Sequence, residues 1–524
     1  MNMQMIREKI KKVPKCYWVL VLIFVLGAAL RTYKFHDILR FNADQARDAA
    51  LVSDVVEHKT TWPLLGPKAG GTNFKLGPFF YYEEIISAKF FGNYPDKLAY
   101  PDLFFSILSI GLLFLLLRKL FDSKLSLILT SVFAFSAYAV KYAHFAWNPN
   151  STPFWSMLFI YALHEMLIEK KQRKYIWASV LGVSLGIGMQ LHTLLLIFLP
   201  IMTIGMVIWQ LSKKDKNILG YLSVILLLAC LLNVGQITNE IKTRGENTKA
   251  FFQGVGTKEK KGSGVVSNLF KDVNCSIQGN LYVLSGYNMS DQCELKEVKK
   301  GINPWLTILG GIFFFGGLLM ACKSWKKESN VDKKKMLGIL LAYFLLVFLF
   351  LIPLANEISM RFYLISIFMP FVFLGFWIKF IIKKAGKYSN IILIMVAAVF
   401  VCLNLFFVKK MINELSAPKS KVFEVVTLKE LEETANFIVK HEKGNEVYLN
   451  GNAQFLFKAQ KGIEYLVGKS GTKILGSNAK NQNNPATFLV EYGNKKNLDF
   501  GNNQELVDSK KIGRITIYLL NQKQ

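Results

Sequence analysis

Two aspartates four residues apart are the first groups in this chain that could do chemistry. Asp44 and Asp48 lie in Asp44-Gln45-Ala46-Arg47-Asp48-Ala49-Ala50-Leu51-Val52, which reads as the start of an amphipathic helix. Residues four apart share a helical face, so both carboxylates can lie on one side of the helix. A carboxylate held there could deprotonate a hydroxyl as general base. The same charges also suit a solvated helix with Arg47 as a surface partner. Cations follow. Lys75 precedes Leu76-Gly77-Pro78 and could hold a phosphate as a point charge. Arg361 opens an apolar block, where a cation opposes the helix macrodipole and favours an anionic neighbour. Around them lie Tyr81, Tyr82, Trp147, Asn148, His192 and Tyr363. The aromatic groups equally suit a headgroup belt. Asn148-Pro149-Asn150 is a turn signal. A single histidine such as His144 or His192 serves structure more often than catalysis.

The elements that must position these groups are apolar. Of 524 residues 52% are hydrophobic and 19% charged, outside the range of ordinary soluble domains. The apolar residues arrive in blocks at 16–30, 101–117, 125–140, 153–168, 175–191, 194–211, 218–235, 304–322, 336–354, 361–382 and 389–408, each about the length that crosses a bilayer. This predicts a polytopic α-helical membrane protein with about eleven transmembrane helices. A further apolar stretch, 77–92, carries Glu83, Glu84 and Lys89, which are costly at mid-membrane. If it does not span, the Lys/Arg-rich connections all fall on the side of the N-terminus. The positive-inside rule then makes that side cytoplasmic and 77–92 interfacial or re-entrant. The net charge of +28 is thereby spent on orientation, and no nucleic-acid partner is expected. The expected location is the plasma membrane, with the first loop 31–100, the turn 141–152, the loop 236–303 and everything after 409 outside. Residues 1–409 form the membrane domain.

Residues 410–524 are a different kind of chain, polar and punctuated by Asn and Gly. Thr427 and Glu430 are spaced as a capping box for a helix over 428–441. Residues 446–450, 487–491 and 515–520 alternate like strands. A small C-terminal α/β extracytoplasmic domain is expected. Cys275 and Cys293 share one polar loop and pair only if it faces an oxidising compartment.

Several stretches in this order resemble the GT-C membrane glycosyltransferases, in the bacterial branch similar to protein O-mannosyltransferases and aminoarabinose transferases. They are Asn42 to Ala49, Leu64-Leu65-Gly66-Pro67, Leu76 to Tyr82, Phe145 to Asn150, Gln190-Leu191-His192 and Arg361-Phe362-Tyr363, within a resemblance covering about 17–410. The resemblance implies a glycosyltransferase that moves a sugar from a polyprenyl-phosphate-linked donor to a protein, lipid or glycan acceptor at an extracytoplasmic site. It implies an acidic residue of the first outer loop as base, matched by Asp44, with Asp48 a second candidate. Arg47, Lys75, Tyr81, Tyr82, Trp147, Asn148, His192, Arg361 and Tyr363 are the expected substrate contacts. Many relatives carry Asp-Glu where this chain has Asp44-Gln45. The aminoarabinose-type enzymes carry Pro-Pro after the lysine that matches Lys75. Metal use varies in the family, which leaves room for a divalent metal, and membrane lipids are partners in any case. The alternative is a transporter or flippase of lipid-linked glycans. Such proteins tend to place polar groups at mid-membrane in broken, repeated helices. In this sequence the polar groups collect at one surface.

Overall fold

The computed structural model describes residues 14–168, 171–260, 264–287, 304–416, 425–442, 445–475, 486–493 and 504–522. Helix α1 (Lys15–Thr32) leads into a long loop that holds α2 (Ala43–Val56) and α3 (Phe79–Phe91). Then follow α4 (Tyr100–Arg118), α5 (Ser123–Ala134), α6 (Ala137–Tyr142), α7 (Thr152–Ile168), α8 (Lys171–Leu191), α9 (Thr193–Ser212) and α10 (Ile218–Leu232). A second polar region carries α11 (Val234–Thr243), α12 (Glu246–Lys260) and α13 (Val265–Ser285). The bundle closes with α14 (Pro304–Lys327), α15 (Val331–Leu351), α16 (Met369–Ala385) and α17 (Ser389–Ser416).

Each expected apolar block contains helix. By length and composition, six helical runs among the described residues can cross a membrane, or seven if α10 and α11, bent by 69°, count as one. The run Met369–Ser416 holds two expected blocks, joined by a 3-10 turn at Gly386–Tyr388. The block at 125–140 is broken into α5 and α6, with Ser136 capping the second piece. The chain is a multi-pass membrane protein. Helix α3 is only 13 residues long and is not among the long apolar runs. Its Lys89 lies out over the Trp62 ring, while Glu83 and Glu84 turn inward. The region 236–303, expected as loop, is largely helical where it is described. Cys275 in it is buried and disulfide-bonded, and Cys293 lies outside the described residues.

Two kinds of contact lock the apolar helices together. Arg31, in the last turn of α1, is fully buried. It donates to the Ala134 carbonyl at 2.6 Å, the Gly27 carbonyl at 3.0 Å and Ser106 Oγ at 3.0 Å, tying α1 to α4 and α5. Helices α8 and α10 approach through Gly182 and Gly186. A Cβ on Gly182 would stand 2.8 Å from the Ile225 carbonyl oxygen, and one on Gly186 3.0 Å from the Ala229 Cα. Small residues four apart allow such close backbone packing in lipid, where apolar side chains gain little from meeting each other.

In the tail the expected capping box is present. Thr427 and Glu430 bond each other's backbone N–H groups at the start of α18 (Leu428–His441). Strand β1 (Glu446–Gly451) is followed by α19 (Ala453–Lys458), α20 (Gln460–Lys469), β2 (Lys473–Leu475), β3 (Ala486–Tyr492), β4 (Gln504–Ile512) and β5 (Ile515–Gln522). The sheet order is β2-β1-β3-β5-β4, parallel about β1 and antiparallel beyond β3. The alternating strands β1, β3 and β5 were legible. Strand β4 was not: it is an exposed, lysine-bearing edge with a bulge between Leu506 and Asp508, so it buries almost no apolar side chain.

The tail packs on the first loop. Phe41 N donates to the Val426 carbonyl and Leu428 N to the Leu39 carbonyl. Phe41, Ala46 and Val52 share a core with Leu431, Ile463 and Val467. The buried pair Arg514–Glu430, at 3.2 Å, is tied further by Arg514 to the Glu414 and Val425 carbonyls. Removing one partner of a buried pair leaves the other charge uncompensated, at a cost of about 3–5 kcal/mol. Arg514→Ala should therefore lower the melting temperature sharply, and Arg514→Lys by less. Thermal unfolding of the detergent-solubilised variants checks this, and an unchanged midpoint for Arg514→Ala would show that the pair adds no stability.

Candidate functional site

The site is built on the first loop. Asn42 starts α2 in a capping box: its N–H donates to Gln45 Oε1 at 3.1 Å. Gln45 then reaches across and donates to the Ala146 carbonyl at 3.1 Å, which seats the helix start beside the turn that holds Trp147. Gln45 is thus a structural strap between α2 and that turn.

This start fixes the aspartates. Asp44 is 61% exposed in the first turn and accepts from Arg47 at 3.0 Å. Asp48 is buried one turn below. Arg47 grips it with two N–H groups, at 2.9 and 3.0 Å, and the Tyr81 hydroxyl donates to it at 2.8 Å. Both carboxylates share Arg47. Burial pushes the Asp48 carboxyl up to about 6, against the opposing pull of Arg47 and Tyr81. The Tyr81 phenol is raised as well, by burial and by the Asp48 charge. Tyr82 instead donates to the Pro63 carbonyl at 2.9 Å and braces the loop.

Behind Asp48 lie three further buried carboxyls, Glu83, Glu84 and Asp102. Neither oxygen of Glu83, nor Glu84 Oε2, nor Asp102 Oδ1 has a hydrogen-bond partner. Burial, reinforced by neighbouring acids, holds Glu83 and Glu84 well above the usual carboxylate range. Asp102 accepts from Trp147 N at 2.8 Å, so the acidic patch touches the backbone of the aromatic turn. The available signal was two adjacent acids inside an aromatic run, and an aspartate just after Pro101 at the head of an apolar helix.

Cations gather on the other side of that turn. The Arg361 guanidinium stacks over the Trp147 ring at 5.2 Å and the Phe362 ring at 5.6 Å, and no carboxylate pairs with it among the described residues. It begins a 3-10 segment, Met360–Ser366, where a regular helix start was expected. A hairpin of the first loop closes over it. Gly66 N donates to the Leu76 carbonyl, Leu76 N to the Pro67 carbonyl and Ala69 N to the Phe74 carbonyl. A Cβ on Gly66 would stand 2.1 Å from the Gly77 carbonyl oxygen, so only glycine fits. The tip at Gly70 lies 3.5 Å from the Arg361 guanidinium, measured from where a Cβ would sit. Lys75 is held through its backbone by Asn247, at 2.8 and 2.9 Å, and its ammonium group is exposed without a partner among the described residues. His192 caps α9, accepting from Leu194 N at 3.2 Å, and sets its ring edge-on to Phe362. Asn148 donates to the Leu191 carbonyl at 2.8 Å, and the buried Tyr363 sits 3.4 Å from Ser276 Oγ. His144 does not join this face. It is buried, bonded to the Val140 carbonyl at 2.7 Å, and burial pushes it down to about 4. Among the described residues no group of three or more His, Cys, Asp or Glu is arranged to hold a metal ion.

The Asp48 carboxyl is protonated more readily in the fold than in the unfolded chain, where it titrates near 3.8. Stability tied to this group is therefore greatest below about pH 4, falls as pH rises to about 6, and is flat above. Asp48→Asn removes that dependence. The melting temperature of the variant relative to wild type should rise from pH 4 to pH 7. A difference constant across that range would show that burial does not govern this carboxyl.

Residues 75–235 match the family model described as dolichyl-phosphate-mannose-protein mannosyltransferase. No curated protein is similar to the chain at a significant level. Among solved structures, the chain is similar to ArnT from Cupriavidus metallidurans bound to undecaprenyl phosphate. The TM-score is 0.58 and the identity 11%, over 95% of this chain and 97% of that one. It is also similar to the archaeal oligosaccharyltransferase AglB from Archaeoglobus fulgidus in complex with an inhibitory peptide and a dolichol-phosphate. There the TM-score is 0.53 and the identity 13%, over 86% of this chain and 63% of that one. At these identities the likeness is one of fold. The chain therefore has the fold of the GT-C membrane glycosyltransferases, with its segment 75–235 matching their protein-mannosyltransferase model.

Proposed function

We propose that this protein transfers a sugar from a polyprenyl-phosphate carrier to an acceptor on the extracytoplasmic face of the plasma membrane. The observation that carries the reading is the division of charge about the Ala146–Trp147 turn. On one side an exposed carboxylate, Asp44, is backed by Arg47 and Asp48. On the other an Arg361 guanidinium without a carboxylate partner is stacked on Trp147 beneath a glycine hairpin. The similar structures of ArnT and AglB hold lipid phosphates, which supports a lipid phosphate as the anion. Lysine- and arginine-rich loops at the opposite end of the helices support a cytoplasmic N-terminus.

In this reading Asp44 takes the proton from the acceptor nucleophile. The nucleophile forms a bond to the anomeric carbon as the bond from that carbon to the phosphate oxygen breaks. The electron pair leaves with the lipid phosphate, held by Arg361 and Lys75. The leaving group is already stable as an anion, so the protein supplies positioning, base catalysis and cationic stabilisation. Asp48 is buried and clamped. It acts as a positioning residue, orienting Arg47 and through it Asp44.

The test is product formation by purified protein from a lipid-phosphate-linked sugar. Asp44→Asn keeps shape but removes the base, and turnover should fall about 10²- to 10⁴-fold while donor binding persists. Arg361→Ala should weaken donor binding and leave the melting temperature near wild type. Near-normal turnover in Asp44→Asn would remove the proposed base, and normal donor affinity in Arg361→Ala would remove that residue from the site.

A further inference from the structure

Helix α13 is built inside out. Its Val265, Val266, Leu269 and Phe270 are exposed, whereas Asn268, Asp272, Ser276 and Asn280 are all buried. The buried set recurs every four residues and so forms one continuous stripe along the helix. A helix that turns its polar stripe inward has a polar surface to meet, because buried polar groups must find partners.

That stripe faces the segment that carries Arg361. Ser276 approaches the Tyr363 hydroxyl, and a Cβ on Gly279 would stand 2.6 Å from the Tyr363 ring. Lys271, on the flank of the helix, bonds Asn356 just before that segment. The protein does not complete the partnerships. Neither oxygen of Asp272 has a hydrogen-bond partner although the residue is wholly buried, and Asn280 Oδ1 and Gln278 Nε2 are also unpartnered. No cation pairs with Asp272 among the described residues. Leaving a buried carboxylate uncompensated is costly. Burial moves this carboxyl up to about 7, so near neutrality it is available both as acid and as carboxylate.

We propose that Asp272 is the sugar-recognition residue of the donor site, accepting hydrogen bonds from hydroxyl or ammonium groups of the transferred sugar while Arg361 holds the phosphate. This inference rests on the donor reading given above. A phosphate on Arg361 fixes the attached anomeric carbon close by. The rest of the sugar ring then extends along the wall made by Tyr363 and α13, where the unpartnered oxygens of Asp272 and Asn280 can accept from its hydroxyl groups. A site built to bond a hydroxyl or amino group also rejects sugars that lack it, because its own polar atoms are then left unpaired.

The experiment uses the full-length protein in lipid nanodiscs and three probes: a polyprenyl monophosphate, the same lipid carrying a neutral hexose, and the same lipid carrying an amino sugar. Wild type should bind at least one sugar-bearing lipid more tightly than the bare carrier. Asp272→Ala should lose roughly 10- to 100-fold affinity for that lipid and stay within about twofold for the bare carrier. Asp272→Asn keeps the volume and removes the buried charge, so it should melt no lower than wild type. It should retain part of the affinity if the partner is a hydroxyl and little if it is an ammonium group. Equal losses on bare and sugar-bearing lipids, no loss on any, or a wild type that does not prefer a sugar-bearing lipid would overturn the role of Asp272. A wild type that binds none of the three probes would instead overturn the donor reading itself.

Discussion

Backbone that leaves a helix where it is buried must find its hydrogen-bond partners inside the protein, and this constraint governs the site end of the bundle. Side-chain amides meet it repeatedly. Gln190 donates to the Leu232 and Gly186 carbonyls and accepts from Phe79 N, so one residue ties α8 to α10 and to the start of α3. Asn404 accepts from Ala137 N and donates to the Leu284 carbonyl, holding the break between α5 and α6 against the end of α13. Gln45, Asn148 and Asn247 do the same for the Ala146, Leu191 and Lys75 backbones. The segments that carry Lys75, Trp147 and His192 are each tied by one of these amides.

Those amides also set the charge pattern. By drawing the start of α2 to the Ala146–Trp147 turn, Gln45 brings acids and cations to opposite flanks of a single strip of backbone. Asp102 touches that strip from the acidic flank through Trp147 N, and Arg361 covers the Trp147 ring from the other. The separation has a physical basis. The carboxyls of Glu83 and Glu84 resist ionisation because they are buried, which lets them sit near Asp48 without strong repulsion. Arg361 rests on aromatic faces, which attract a cation by about 0.5–2 kcal/mol without neutralising it.

The sequence reading was good where a local rule decides structure. The helices follow the apolar blocks, the α18 cap follows Thr427 and Glu430, and β1, β3 and β5 follow their alternation. It failed where tertiary contacts decide. His144 could not be told from His192 by type, yet one is core and the other caps a helix beside Phe362. Glu83, Glu84 and Asp102 meet only when α3 folds back against α4. The polar stripe of α13 lay in what read as loop, because its exposed apolar residues hide the usual amphipathic sign.

The union of the first loop with the tail sets an order of assembly. Leu39 and Phe41 bond to Leu428 and Val426, and His36 and Tyr94 both bond to Glu432. His36 and Glu432 stand 396 positions apart, and Tyr94 and Glu432 338, with the helices α4 to α17 between them. A ribosome emits the loop with Asp44 early, but its supporting surface emerges only after the helices α4 to α17. During synthesis the first loop consequently waits unsupported, and Asp44 gains its full surroundings only once α18 and the sheet have docked on that loop.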